Sequence, residues 1–129
     1  MLKRISSEKA PKAVGSYSAA TKVGNLIYTS GQLPINRKTG KIDFPNSIEK
    51  QTMQSMENLK YILEDNGSST ERIVKTTVYL KNIEDFSTFN EVYSNYFSED
   101  FPSRTAFEVG NLPMGAMIEI EAIAEIEGE

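Results

Sequence analysis

Apolar residues recur along this chain in two rhythms, and the switches between them mark out its elements. In the last stretch, 117–126, Ile118, Ile120, Ala122, Ala124 and Ile126 take every second position, with Met117, Glu119, Glu121, Ile123 and Glu125 between them. A period of two marks a strand whose faces meet different surroundings. RIVKTTVYL (72–80) is β-branched and bounded by turn residues, and LIYTS (26–30) is closed by Gly31, so both read as strands. A further strand spans 103–109, with Thr105, Phe107 and Val109 as its apolar set and Arg104, Ala106 and Glu108 opposite. LKRI (2–5) reads as a short edge strand, followed by a loop of small residues, SSEKAPKAVGSYSAA.

Between these strands the period lengthens. Ile48, Thr52, Met56, Leu59 and Ile62 or Leu63 recur at helical spacing. Asn46 with Glu49 three residues later predicts a capping box at the start, and Gly67 a left-handed stop. Asn82 and Asp85 open a second helix with the stripe Phe86, Phe89 or Asn90, Tyr93 and Phe97, ending by Pro102. Lys38-Thr39-Gly40 predicts a tight turn, and GNLPMG separates the last two strands.

The order is β-α-β-α-β-β, with a short β segment or two ahead of it. Two helices and one sheet predict an α+β fold, a two-layer sandwich with the helices on one face of the sheet. The 129 residues are expected to form a single domain, 1–129. The sheet's other face is then bare, and on it Glu119, Glu121 and Glu125 are expected alongside Arg104. Such a face suits a subunit interface with a polar pocket, and it suits plain solvent nearly as well.

Composition narrows the chemistry. The chain has no histidine and no cysteine. Serine-histidine and cysteine-histidine catalysis are excluded, as are disulfides and zinc-thiolate sites. Any reaction must rest on carboxylates, Arg, Lys, Tyr, hydroxyls, amides and backbone. The formal charge is −4 and the fourteen basic residues are scattered, which speaks against nucleic-acid binding. The first fifteen residues hold no apolar run of signal-peptide length, and no stretch approaches a membrane span. A cytoplasmic protein without membrane attachment is the expectation.

Two readings stand for each candidate residue. Arg104 is a surface arginine, or a guanidinium fork for a small carboxylate. Glu119 and Glu121 are solvated β-face charges, or one of them is a desolvated base for water. Tyr17 packs its loop or aims a phenol at a ligand; Asn90 caps a neighbouring loop or points at a ligand. Ser30-Gly31 is a turn, or a place where only glycine admits close approach of the backbone.

APKAVGSYSAATKVGNLIYTSGQLP, IVKTTVYLKNIEDFSTFNEVYSNYF and FPSRTAFEVGNLPMGAMIEIEAIA, in that order, closely resemble the reactive-intermediate deaminase (Rid) family, in particular its RidA-type members. The resemblance covers essentially the whole chain, and its last segment is the most specific. It implies a chorismate-mutase-like fold assembled into homotrimers. It also implies hydrolysis of 2-enamine and 2-imine acids, reactive products of pyridoxal-phosphate-dependent dehydratases, to 2-keto acids and ammonia without a cofactor. By position, Arg104 matches the carboxylate-binding arginine and Glu119 the water-activating glutamate. Tyr17, Ser30, Gly31 and Asn90 match pocket residues, and Ala106 a contact made through backbone. Ser16, Ala19 and Ser103 depart from the usual proline, glutamine and alanine, which bears on pocket shape. In the family's sheet the Arg104 strand lies at the far edge, roughly 10 Å from that of Glu119. The resemblance therefore implies that one subunit supplies the arginine and its neighbour the glutamate. The rival is a keto-acid-binding regulatory or interaction protein; relatives linked to RNA cleavage fit the acidic balance poorly.

Overall fold

A computed structural model of the protein describes residues 1–126. Strand β6, Ile118–Glu125, is central to the sheet, because its alternation is complete: Ile118, Ile120, Ala122 and Ala124 are buried, while Glu119, Glu121 and Ile123 are only partly covered. On one side it pairs antiparallel with β3, Leu26–Thr29, which continues through β2, Ala20–Val23, to β1, Lys3–Ile5. On the other side it pairs antiparallel with β4, Ile73–Leu80, and β4 pairs parallel with β5, Ser103–Glu108. The sheet order is thus β1-β2-β3-β6-β4-β5, mixed and six-stranded.

Two helices cover one face. Helix α1, Ile48–Glu64, buries Thr52, Met56, Leu59, Ile62 and Leu63 against β6 and against α2, Phe86–Ser94. Gly67 sits at φ 88°, where a side chain would be strained, and Ser68 N–H closes the last turn on the Leu63 carbonyl. The two-layer α+β sandwich expected from the pattern is the fold observed.

Four local expectations need correction. The cap of α1 is Ser47, whose Oγ accepts from Lys50 N–H, so no Asn46–Glu49 box forms. Glu49 instead lies in the first turn, where the helix dipole favours a carboxylate. The segment after Asn82 begins as a 3₁₀ turn, Ile83–Asp85, and α2 starts only at Phe86. The sequence reads as loop as far as Ala20 and assigns 21–25 to no element; Ala20–Val23 is instead a strand held by pairing on both sides.

The fourth correction matters most for function. In β5 it is Arg104 and Ala106 that turn toward the helices, while Ser103, Thr105 and Phe107 lie on the bare face. The register shows this directly. Arg104 pairs with buried Thr76, and Phe107 pairs with Tyr79, which in turn pairs with Glu119. Apolarity misleads here because an edge strand has too little cover to bury its larger side chains. The bare face holds Phe107 instead, 44% exposed and edge-on to Tyr79.

Candidate active site

The residues singled out from the sequence gather in two places. The first is a cleft of about 350 Å³ between β5 and α2, lined by Asn90, Tyr93, Ser94, Phe101, Pro102 and Arg104. The helical period of α2 stacks Phe86, Phe89 and Tyr93 along one side, and the Arg104 guanidinium lies 5.0–5.6 Å from all three ring centres. Arginine is attracted to aromatic faces while its N–H groups point outward in the guanidinium plane. One of them donates to Asn90 Oδ1 at 2.7 Å. Tyr93 is fixed from below by a 2.7 Å hydrogen bond with Thr76 Oγ1, and burial pushes its phenol pKa up, with the Thr76 bond and the Arg104 charge opposing. The guanidinium is thereby held in one orientation by the chain's own groups.

Ala106 stands next on the same face of β5. Val109 N–H donates to the Leu80 carbonyl, so ladder parity turns the backbone groups of Arg104, Ala106 and Glu108 toward the open edge of the sheet.

The second place is where β3 ends beside β6. Gln32 bridges to Ile120 by a pair of backbone bonds of 2.7 and 3.2 Å, which lays Gly31 against Glu119. A Cβ on Gly31 would overlap the Glu119 carboxylate, with Cδ at 2.8 Å and Cγ at 3.0 Å. Glycine here is a matter of space. Burial first, and then the charge of Glu121, hold the Glu119 carboxyl above the ordinary carboxylate range. No side-chain hydrogen bond to Glu119 is found among the described residues. Tyr17 and Gly31 line one small cleft, and Ser30 anchors the loop bearing Tyr17 by donating from Oγ to the Ser18 carbonyl at 2.6 Å.

These two places do not meet within the chain. Their strands are separated by β4, about 10 Å from β6 to β5. Their side chains also lie on opposite faces of the sheet.

Residues 7–126 match the family model described as endoribonuclease L-PSP. The chain belongs to this family, the one that includes the Rid proteins. It is 52% identical to a RutC family protein of Pyrococcus abyssi over 93% of this chain and 94% of that one. It is 46% identical to the 2-iminobutanoate/2-iminopropanoate deaminase of Escherichia coli (strain K12), over 96% of this chain and 98% of that one. A solved member of the Rid family from Yersinia pestis superposes with a TM-score of 0.94 at 42% identity, covering 98% of this chain and all of the other.

Within this Rid chain, Arg104 and Asn90 are brought together, with Ala106 next on the same strand face; Gly31 lies against Glu119 and shares a cleft with Tyr17, whose loop Ser30 anchors. Asn90 lines the cleft, and its amide oxygen steadies the arginine by accepting from it. Two supports escaped sequence reading. Phe86 and Phe89 passed for core alone, yet they also carry the guanidinium. Asn58, fully buried on α1, donates to the carbonyls of Leu33 and Ile35 and so pins the segment following Gly31. An amide falling within a buried helical stripe was the available signal, since such a group must find partners.

Proposed function

We propose that this protein is a hydrolytic deaminase converting 2-enamine and 2-imine acids to 2-keto acids and ammonia, at sites shared between the copies of a homotrimer. One observation carries the reading. A pre-aimed carboxylate fork and a desolvated, unpartnered carboxylate are both built, yet they lie on opposite faces of one sheet. A small acid, whose carboxylate and imine carbon are one bond apart, needs both at once. The open β5 edge, with its free backbone groups, is a natural place for a second copy to supply the missing half. The name of the E. coli relative supports the same substrate class.

In the mechanism, Arg104 grips the substrate carboxylate with the N–H groups that Asn90 leaves free. Glu119 of the neighbouring copy, with the Ala106 carbonyl, holds a water against the imine carbon, and Tyr17 and the Gly31 backbone orient the substrate. On the protonated imine, as the water oxygen bonds to carbon, Glu119 takes one water proton and the C=N electrons move to nitrogen, giving a neutral carbinolamine. Glu119 returns that proton to nitrogen. The C–N bond then breaks as the hydroxyl gives its proton to Glu119 and becomes the carbonyl, and the departing ammonia takes that proton away as ammonium. The route calls for no cofactor. Orientation supplies most of the rate, and a raised proton affinity suits a carboxylate to act as base.

A regulatory protein that binds keto acids is the second reading, favoured by the Arg104 cleft taken alone, since binding needs no base. Ammonia release from freshly generated 2-aminoacrylate separates the two: an enzyme accelerates it. The shared site has its own test in mixed assemblies. Arg104→Lys and Glu119→Gln copies, each impaired alone, should regain activity beyond their average when refolded together, since about one quarter of sites would then draw both native groups from different copies. Light scattering of the parent must show three copies. A stable monomer at micromolar concentration, or no recovery in the mixture, would overturn the shared site.

A further inference from the structure

On the bare face of the sheet, Glu119, Glu121 and Tyr79 stand close together, with Tyr28 and Glu125 farther along it, and the way the first three are connected is uneven. Glu119 and Glu121 project from the same face of β6, about 7 Å apart along the strand. Tyr79 of β4 stands in register with Glu119, yet its hydroxyl passes that neighbour and donates to Glu121 Oε1 at 3.1 Å. A diagonal contact of this kind is within reach of a long aromatic side chain. The donor is thus given to the carboxylate without a part in the proposed reaction, and Glu119 has no side-chain donor among the described residues.

We propose that Tyr79 and Glu121 form a positioning pair for Glu119, the phenol fixing the Glu121 carboxylate and that fixed charge making Glu119 the stronger base. The proposal rests on the reading of Glu119 as the hydrolytic base. A phenol bonded to Glu119 itself would stabilise its ionised form and weaken it as a base. A negative charge one strand repeat away acts in the opposite sense, because it penalises the ionised form. Pairs of carboxylates pushed apart in this way divide their labour: one stays charged, the other exchanges protons.

The surroundings are consistent with that division. From β4 only Tyr79 faces Glu119; burial, the Glu121 charge, the bond to it and the Glu119 charge all raise its pKa, so it remains a neutral donor. Lys75 lies farther along the face, across from Ile123, and forms no ion pair with Glu121 among the described residues. The end of β3 contributes the Gly31 backbone, and β5 contributes the uncharged Phe107. Lys12 and Tyr17 line the cleft beyond Gly31. The opposing cation is the Arg104 of a second copy in the shared site, which by itself would draw the proton off Glu119. Glu121 offsets it.

The test follows the Glu119 carboxyl by ¹³C NMR in the unliganded protein, its signal assigned by loss in Glu119→Gln, alongside the pH profile of imine hydrolysis. Glu121→Gln should move the Glu119 midpoint to lower pH. The acid limb of the rate profile should move with it, while the plateau rate falls about twofold to fivefold as the base weakens. Tyr79→Phe removes the tether, so the shift caused by Glu121→Gln should be smaller in that background. A Glu119 midpoint unmoved by Glu121→Gln overturns the pair, whatever hydrolysis does. An equal shift with and without the phenol removes Tyr79 from it. A midpoint that moves while the acid limb stays fixed supports the electrostatic pair and instead removes Glu119 as the base.

Discussion

The Arg104 cleft and the Glu119 cradle are built by contrary means. Arg104 is surrounded by support: three ring faces, an amide oxygen and, behind them, the Thr76–Tyr93 bond. Its geometry is determined and its charge is left available. Glu119 is half-buried against bare backbone, with no side-chain donor found for it, and a second negative charge stands two residues away. Its position is set by what is missing, namely a side chain at Gly31. On the proposed reading, the group that recognises a ligand is held by partners and the group that exchanges protons is denied them, because each donor would stabilise its ionised form and weaken it as a base. Both arrangements are built within one chain.

The largest expected effect breaks the contrast on the carboxylate side. Glu119→Gln keeps size and reach but cannot accept a proton, so hydrolysis should fall by about 10² or more while 2-oxobutanoate still binds. Equal loss of binding and turnover, read by calorimetry beside a steady-state assay, would mean that Glu119 is not the base.

On the arginine side, Arg104→Lys retains the charge but loses the planar fork and much of its fit over the rings. Keto-acid affinity should drop about tenfold or more, with an unchanged circular dichroism spectrum. Parent-like affinity in this variant would reduce Arg104 to a packing residue.

Gly31→Ala sharpens the comparison without touching either charged group. The backbone at Gly31 is not in the left-handed region, and the atoms in the way belong to the end of a flexible side chain. The fold should therefore survive while the carboxylate is displaced. Turnover should fall about tenfold, since a shift of roughly an ångström at a reacting group is costly. A melting temperature that collapses, with residual turnover intact, would place the glycine in the service of folding alone.

The smallest effect is a stability difference. Folding raises the Glu119 pKa, so between the unfolded and folded values the native state holds more protons than the unfolded one. Stability contributed by this group is present below the unfolded pKa and declines as pH rises through the folded one. Glu119→Gln should thus melt slightly higher than the parent near neutral pH, and the gap should close on acidification. A gap independent of pH would show that the carboxylate is not strained by burial.

Much of this was legible in the chain. The alternation of 118–126 gave the buried and uncovered faces of β6 correctly, because β6 is paired on both sides and its residues alternate without interruption. The stripe from Thr52 to Leu63 was equally plain, since a helix covering a sheet must present one apolar face. Reading failed at edges and ends. Ala20–Val23 holds two β-branched residues, Thr21 and Val23, but four residues beside a run of small ones are too short a pattern to announce a strand, and its partners make it one. The α1 cap moved by one residue, from Asn46 to Ser47, because both side chains are competent and the chain path chooses. In β5 apolarity pointed to the wrong face, because an edge strand with the α2 rings beside it can bury the stem of an arginine and leave a phenylalanine uncovered.

The sequence by itself determined the fold class, the absence of imidazole and thiol chemistry, and the short set of residues able to act in their place. Periodicity and residue type are local properties, and these conclusions need nothing more. Only the tertiary structure decided that Arg104 and Glu119 face opposite ways, that Gly31 makes room for a carboxylate, and that the Tyr79 hydroxyl passes Glu119 to reach Glu121. Each of these depends on which strands lie side by side and in what register. Pairing between residues dozens of positions apart is settled by the packing of the whole sheet, and no stretch of the chain records it alone.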